Sequence, residues 1–92
     1  MKKIIIARLS IKEAYKTQFL TLSENMVKTS NSEEGCITYQ LHNDVFDSNS
    51  FLFYEEYINE EAVNHHNNST HFSNFINAIT PLLTQAPIIN MY

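Results

Sequence analysis

Apolar and polar positions change period several times along the chain, and each change marks an element. Residues 3–9, "KIIIARL", are β-branched and apolar and predict a strand that is apolar on both faces except at Arg8. From Ser10 the spacing becomes helical: Ile11, Ala14, Tyr15, Phe19, Leu22 and Met26 fall on one face, predicting a helix from about 11 to 28. Ser10 with Glu13 three residues on has the form of a capping box for it. After the polar run "TSNSEEG", Ile37, Tyr39 and Leu41 alternate with Thr38, Gln40 and His42. "FLFYEEY" follows across the polar stretch "NDVFDSNS", so residues 36–57 predict a β-hairpin with a loop of about eight residues.

The last third reads as a broken helix and a strand. Asn59 can cap a short helix whose first turn carries Glu60 and Glu61, where the helix dipole favours negative charge. "NNS" interrupts it, and Ser69 can cap a second helix striped by Phe72, Phe75, Ile76, Ile79 and Leu83. Pro81 lacks a backbone N–H and ends or kinks that helix near 80–83. "PIINMY" closes as a strand.

The order β, α, β, β, α (in two pieces), β predicts a single α+β domain over residues 1–92. It is a ferredoxin-like, four-stranded antiparallel sheet with helices on one face. Apolar side chains on both faces of the first strand leave the open sheet face in need of cover. A second copy, giving a homodimer through that face, is the economical cover.

A domain of 92 residues buries little more than ~60% of its unfolded surface, so association would also add stability. The formal net charge is −4, and all six lysines and arginines lie within the first 28 residues, which excludes the broad basic face of a nucleic-acid binder. No stretch has the ~20 apolar residues of a membrane span. The apolar run behind Lys2 and Lys3 is too short for a signal-peptide core. One cysteine, Cys36, allows no internal disulfide. The expectation is a soluble cytoplasmic protein with neither nucleic-acid nor membrane partners.

Three of the four histidines fall within "HHNNSTHF", residues 65–72. A zinc pair on one helix sits at i and i+4; His66 and His71 are five apart, roughly 140° around a continuous helix. With only Cys36 and scattered carboxylates as further donors, no metal site is expected. The break between the helices gives the two rings different settings: the dipole favours imidazolium at His66, in a last turn, and the neutral ring at His71, in a first turn. His66 is therefore expected to hold a proton more tightly and to be the better proton acceptor. His65 reads as solvated surface.

Three stretches, "EEGCITYQLHND", "FLFYEEYINEEAVNHHNNSTHF" and "APIINMY", resemble the antibiotic biosynthesis monooxygenase domain family, especially its small quinol monooxygenase-like members. The matching positions are Glu34, Gly35, Cys36 and Tyr39; Phe51, Tyr54, Glu55 and Tyr57; and Ala62, His66, Ser69, His71 and Phe72. The resemblance implies a dimeric ferredoxin-like fold, the dimeric α/β barrel type, with a pocket between sheet and helices. It also implies oxygenation of a small quinol or phenol by O₂ without a cofactor. Haem-degrading relatives carry an Asn, a Trp and a His where this chain has Ala7, His66 and Ile76, which argues against haem chemistry. Anthrone-oxidising relatives also place a Trp at the position of His66, whereas the quinol-type members carry the His.

On that basis His66 and Glu55 are the expected catalytic groups, with Tyr39, Tyr54, Tyr57, His71, Phe72 and Arg8 around a small aromatic or carbonyl substrate. Glu55 could instead pair with Arg8 across the sheet. Gly35 reads as a turn that needs backbone freedom and Cys36 as a buried, unreactive thiol. Two other functions are compatible with the scaffold. One is isomerisation of a small phosphorylated carbonyl compound, which needs cations for the phosphate; the other is a non-catalytic binding or stress module, which needs no open cavity.

Overall fold

A computed structural model describes all 92 residues. Its strands are β1 (Lys3–Ser10), β2 (Cys36–Asn43), β3 (Ser50–Tyr57) and β4 (Ile88–Met91); its helices are α1 (Lys16–Asn31), α2 (Glu60–Asn67) and α3 (Thr70–Ile79). The strands form one antiparallel sheet in the order β2-β3-β1-β4, the split βαβ arrangement, as the sequence pattern predicts. No helix is long and apolar enough to cross a membrane.

Alternation decides which side chains enter the core. Ile5, Ala7 and Leu9 of β1 and Phe51, Phe53, Glu55 and Tyr57 of β3 are all buried beneath the helices. Their ladder pairs Ile5 with Glu55, Ala7 with Phe53 and Leu9 with Phe51. Phe19 and Met26 of α1 and Phe75 and Ile79 of α3 complete the main cluster, with Phe19 tilted onto Phe51 and Phe75 edge-on to Phe53. A smaller cluster of Ile5, Tyr57 and Val63 seats α2 against the end of the sheet. The opposite sheet face carries half-buried Ile4, Ile6, Leu52 and Tyr54 beside exposed Arg8.

Local chemistry explains most boundaries. Asn59 caps α2 by accepting from the Ala62 N–H at 2.9 Å, and Ser69 caps α3 by accepting from Phe72 N–H at 3.2 Å. Pro81 falls in a single 3₁₀ turn, Thr80–Leu82, that ends the helical run.

Three expectations are corrected. The capping box does not form: Ser10 is the last residue of β1, Ile11 bridges to Leu83, and α1 begins only at Lys16 after a 3₁₀ turn. Tertiary pairing of Ile11, which is buried, outweighs the local capping signal. Ile37 does not point inward with Tyr39 and Leu41, because the β2–β3 register shifts between Cys36 and Thr38; the bulge leaves Ile37 half exposed. Gly35 does not need left-handed backbone, since no residue has positive φ. It is required by proximity: a Cβ there would stand 2.4 Å from the Ala62 Cβ.

Candidate active site

Between the sheet and α3 lies a cavity of about 310 Å³, within the range of small-molecule sites. Its walls come from β1, β3 and the apolar stripe of α3, with Ile89 of β4 and Pro87 at the edge. Its polar features are few: the Glu55 carboxyl, Tyr39 and Asn67. No lysine, arginine or histidine lines it.

Glu55 reaches this wall because it occupies the inward phase of β3, two residues from Phe53 and two from Tyr57. It is 5% exposed. Tyr57 Oη donates to its Oε1 at 2.7 Å. Burial raises its pKa from 4.5 to about 7, and the nearby Glu33 carboxyl pushes in the same direction. The hydroxyls of Tyr57 and Tyr39 oppose this by favouring the carboxylate. Burial, with Glu55 next, raises the pKa of both tyrosines, so they remain hydrogen-bond donors. Tyr39 is held by the end of α1: the Asn31 amide donates to the Tyr39 carbonyl and accepts from its N–H, both at 2.9 Å.

His66 does not open onto the cavity. The ring is 1% exposed and enclosed by Tyr39, Tyr57 and Phe72, with centroids 5.5, 5.5 and 5.1 Å away. Its Nδ1–H donates to Glu33 Oε2 at 2.8 Å, and His71 Nε2–H donates to the same oxygen at 2.6 Å; a carboxylate can only accept, which fixes both donors. Burial, the largest influence, lowers the His66 pKa despite Glu33. Loss of hydration thus works against the imidazolium that the helix end favours.

The structure thus sorts the expected site residues into three places. Glu55, Tyr39 and Phe72 line the cavity. Tyr57, His66 and His71 stand behind it, Tyr57 bonded to Glu55 and the histidines to Glu33. Tyr54 and Arg8 lie on the other face of the sheet, where Tyr54 Oη donates to Glu56 Oε2 at 2.6 Å and Arg8 pairs in register with Leu52. Arg8 therefore does not pair with Glu55, which is opposite Ile5. Cys36 is part-buried, its thiol pushed up to about 11 by burial and by Glu33 and Glu55, which fits an inert thiol. His65 is exposed.

Two groups of residues were not singled out by sequence reasoning. The apolar walls, Ile5, Ala7, Leu9 and Phe53 on the strands and Phe75 and Ile79 on α3, carry the alternation and the helical spacing that mark core, and nothing in those patterns distinguishes a cavity wall from a filled core. Glu33 lies more than thirty residues from either histidine, in a run of polar residues with no periodicity, so no local signal joins them.

Comparison with known proteins agrees with this architecture. The family model described as "Antibiotic biosynthesis monooxygenase" matches residues 4–78, and the chain belongs to that family. It is 32% identical over 89 residues to uncharacterized protein sll1783 of Synechocystis sp., covering 97% of this chain but only 60% of the length of that relative. It is 31% identical over 73 residues to "Putative monooxygenase YcnE" of Bacillus subtilis, covering 79% of this chain and 77% of the other. Among solved structures, PA3566 from Pseudomonas aeruginosa superposes with a TM-score of 0.90 at 27% identity, over 99% of this chain and 91% of its own.

Proposed function

We propose that this protein is a monooxygenase of a small, uncharged quinol or phenol, with O₂ as oxidant and Glu55 as the base. The observation that carries the reading is the apolar cavity of about 310 Å³ with a single carboxylate on its wall, poised at a pKa of about 7. A base whose pKa lies near working pH balances availability against strength. Family membership supports the oxidoreductase class. A phosphorylated substrate is disfavoured because the lining offers no cation.

In this reading Glu55 takes the phenolic proton, and the phenolate gives one electron to O₂. The resulting aryl radical and superoxide combine into a C–O bond at the ring, forming a peroxide. Protonation and cleavage of the O–O bond leave one oxygen on the ring and release the other as water, so quinol plus O₂ becomes hydroxyquinone plus water. Apolar walls exclude water, and Tyr39 and Tyr57 hold the carboxylate in place. His66 acts behind this layer as a positioning residue, packed on both tyrosines.

O₂ uptake with monocyclic and bicyclic hydroquinones tests the reading. Wild-type protein is expected to accelerate uptake over the spontaneous rate, and Glu55→Gln to lose ~10²-fold or more of that acceleration. Equal rates for the two proteins would remove Glu55 from the chemistry.

A further inference from the structure

The cluster behind the cavity has a composition that proton transfer in the cavity does not use. Glu33, His66 and His71 come from three separate segments: the α1–β2 connection, the last turn of α2 and the first turn of α3. One ligand atom from each lies within 4.8 Å of the other two. We infer that Glu33, His66 and His71 form a site for one divalent transition-metal ion, of the kind that zinc and ferrous iron represent.

Three features carry the inference. The donor set, two imidazoles and one carboxylate, is the set that binds zinc or ferrous iron while leaving further positions open. Bonds of about 2.0–2.1 Å place such donors roughly 3–3.5 Å apart. Binding an ion therefore lengthens the Glu33 contacts, now hydrogen bonds of 2.8 and 2.6 Å, and draws the two ring nitrogens together by about an ångström from within 4.8 Å. His71 can supply that movement, being part-exposed at the start of α3, whereas His66 and Glu33 are fixed by burial.

The second feature is the far side of the His66 ring. Its Nε2 is buried with no hydrogen-bond partner, within the enclosure formed by Tyr39, Tyr57 and Phe72. With Nδ1 protonated toward Glu33, that nitrogen is a buried lone pair with no donor to meet it. With Nδ1 bound to a metal ion, the ring proton resides on Nε2, among aromatic rings that can accept a weak N–H···π contact.

The third is the charge on the surface beside Glu33. A surface depression beside Glu33 is lined by Glu33, Glu34, Glu61 and His65 and by no lysine or arginine. Such a depression concentrates cations.

The ion would not touch the cavity, because Tyr39 and Phe72 stand between. It would tie the α1–β2 connection to the α2–α3 corner and complete its coordination with water at the exposed edge of His71. The role is to lock the wall that carries Tyr39 and Phe72.

Titration of chelator-treated protein tests this, using Co²⁺ followed by its visible d–d spectrum and Zn²⁺ followed by calorimetry. The expected result is one ion per chain with tetrahedral Co²⁺ bands. Glu33→Gln and His71→Asn should each weaken binding by more than ~100-fold, beyond the 10–100-fold cost of losing a partner behind a ligand. At a hundredfold excess of Zn²⁺ over its Kd, Tm should rise by ~10 °C or more in wild type and not in these variants. His42→Ala and Glu55→Gln should leave binding unchanged, which separates this site from a surface histidine and from the proposed chemistry. Absence of stoichiometric binding, or binding that survives Glu33→Gln and His71→Asn, overturns it. Circular dichroism of each variant establishes that it is folded before titration.

Discussion

Glu55 carries a proton in the folded chain over a pH range in which the unfolded chain has lost it. Its pKa rises from 4.5 to about 7 through burial first and the Glu33 carboxyl second, opposed by the hydroxyls of Tyr57 and Tyr39. Across that window the native state binds more protons, so the contribution of Glu55 to stability is complete below about 4.5 and is lost as pH rises through 7. The full shift corresponds to ~3 kcal/mol. Urea unfolding of wild type and Glu55→Gln between pH 4.5 and 8 should show the wild type losing up to that amount relative to the variant. A constant difference would place the carboxyl outside the titrating window. Tyr57→Phe removes the donor at 2.7 Å and raises the Glu55 pKa further. The rising limb of kcat/KM against pH, centred near 7 if Glu55 is the base, should then move to higher pH. An unmoved limb would assign it to another group. The inward place of Glu55 is legible in "FLFYEEY", where alternation sets it in phase with Phe51 and Phe53. Its partner is not legible: only the register, with Ile5 rather than Arg8 opposite, excludes the arginine.

At the scale of elements, the corner between α2 and α3 shows what pattern can and cannot convey. Capping by Asn59 and Ser69 is local chemistry and can be read directly. The distance between the corner and the turn before β2 is not local, and it decides the role of Gly35. That residue has ordinary backbone angles; its missing Cβ admits Ala62 of α2, which would otherwise lie 2.4 Å away. Gly35→Ala should therefore destabilise by ~1–3 kcal/mol through overpacking, measured by urea unfolding. Ala62→Gly in the same chain should recover part of the loss, although glycine itself costs ~1 kcal/mol inside a helix. Additive losses in the double variant would mean that the two positions do not meet. The same approach brings Glu33 to His66 and His71. The sequence shows histidine spacing, and the spacing along one helix argues against a shared ligand. A helix break followed by a chain returning from α1 supplies what spacing alone cannot.

For the whole molecule, the sheet face away from the helices has no partner inside the chain. Ile4, Ile6, Leu52 and Tyr54 are only half buried there, while their neighbours Ile5, Ala7 and Phe53 are covered by the helical layer. The strand-level signal, apolar side chains on both faces of β1, is legible in "KIIIARL", and it supports the homodimer proposed for this face. The face also carries Arg8, Gln40 and His42 and the Lys2–Glu56 ion pair at 3.2 Å, a mixed surface suited to two folded copies meeting. An interface of standard size would bury ~800 Å² on each copy. Sedimentation equilibrium should give twice the 10.7 kDa chain mass, and Tm should rise with protein concentration, since association stabilises only the folded state. Ile6→Glu puts a charge at the middle of the face, beside Tyr54 and Asn90 in the ladder, and should yield a monomer of unchanged secondary structure. A wild-type monomer at all concentrations would remove the dimer; a dimer that persists in Ile6→Glu would move the interface off this face. Because Ile5, Ala7 and Leu9 are the reverse side of the same strand, the Ile6→Glu monomer should also bind hydroquinones more weakly while leaving the pH midpoint of Glu55 unchanged.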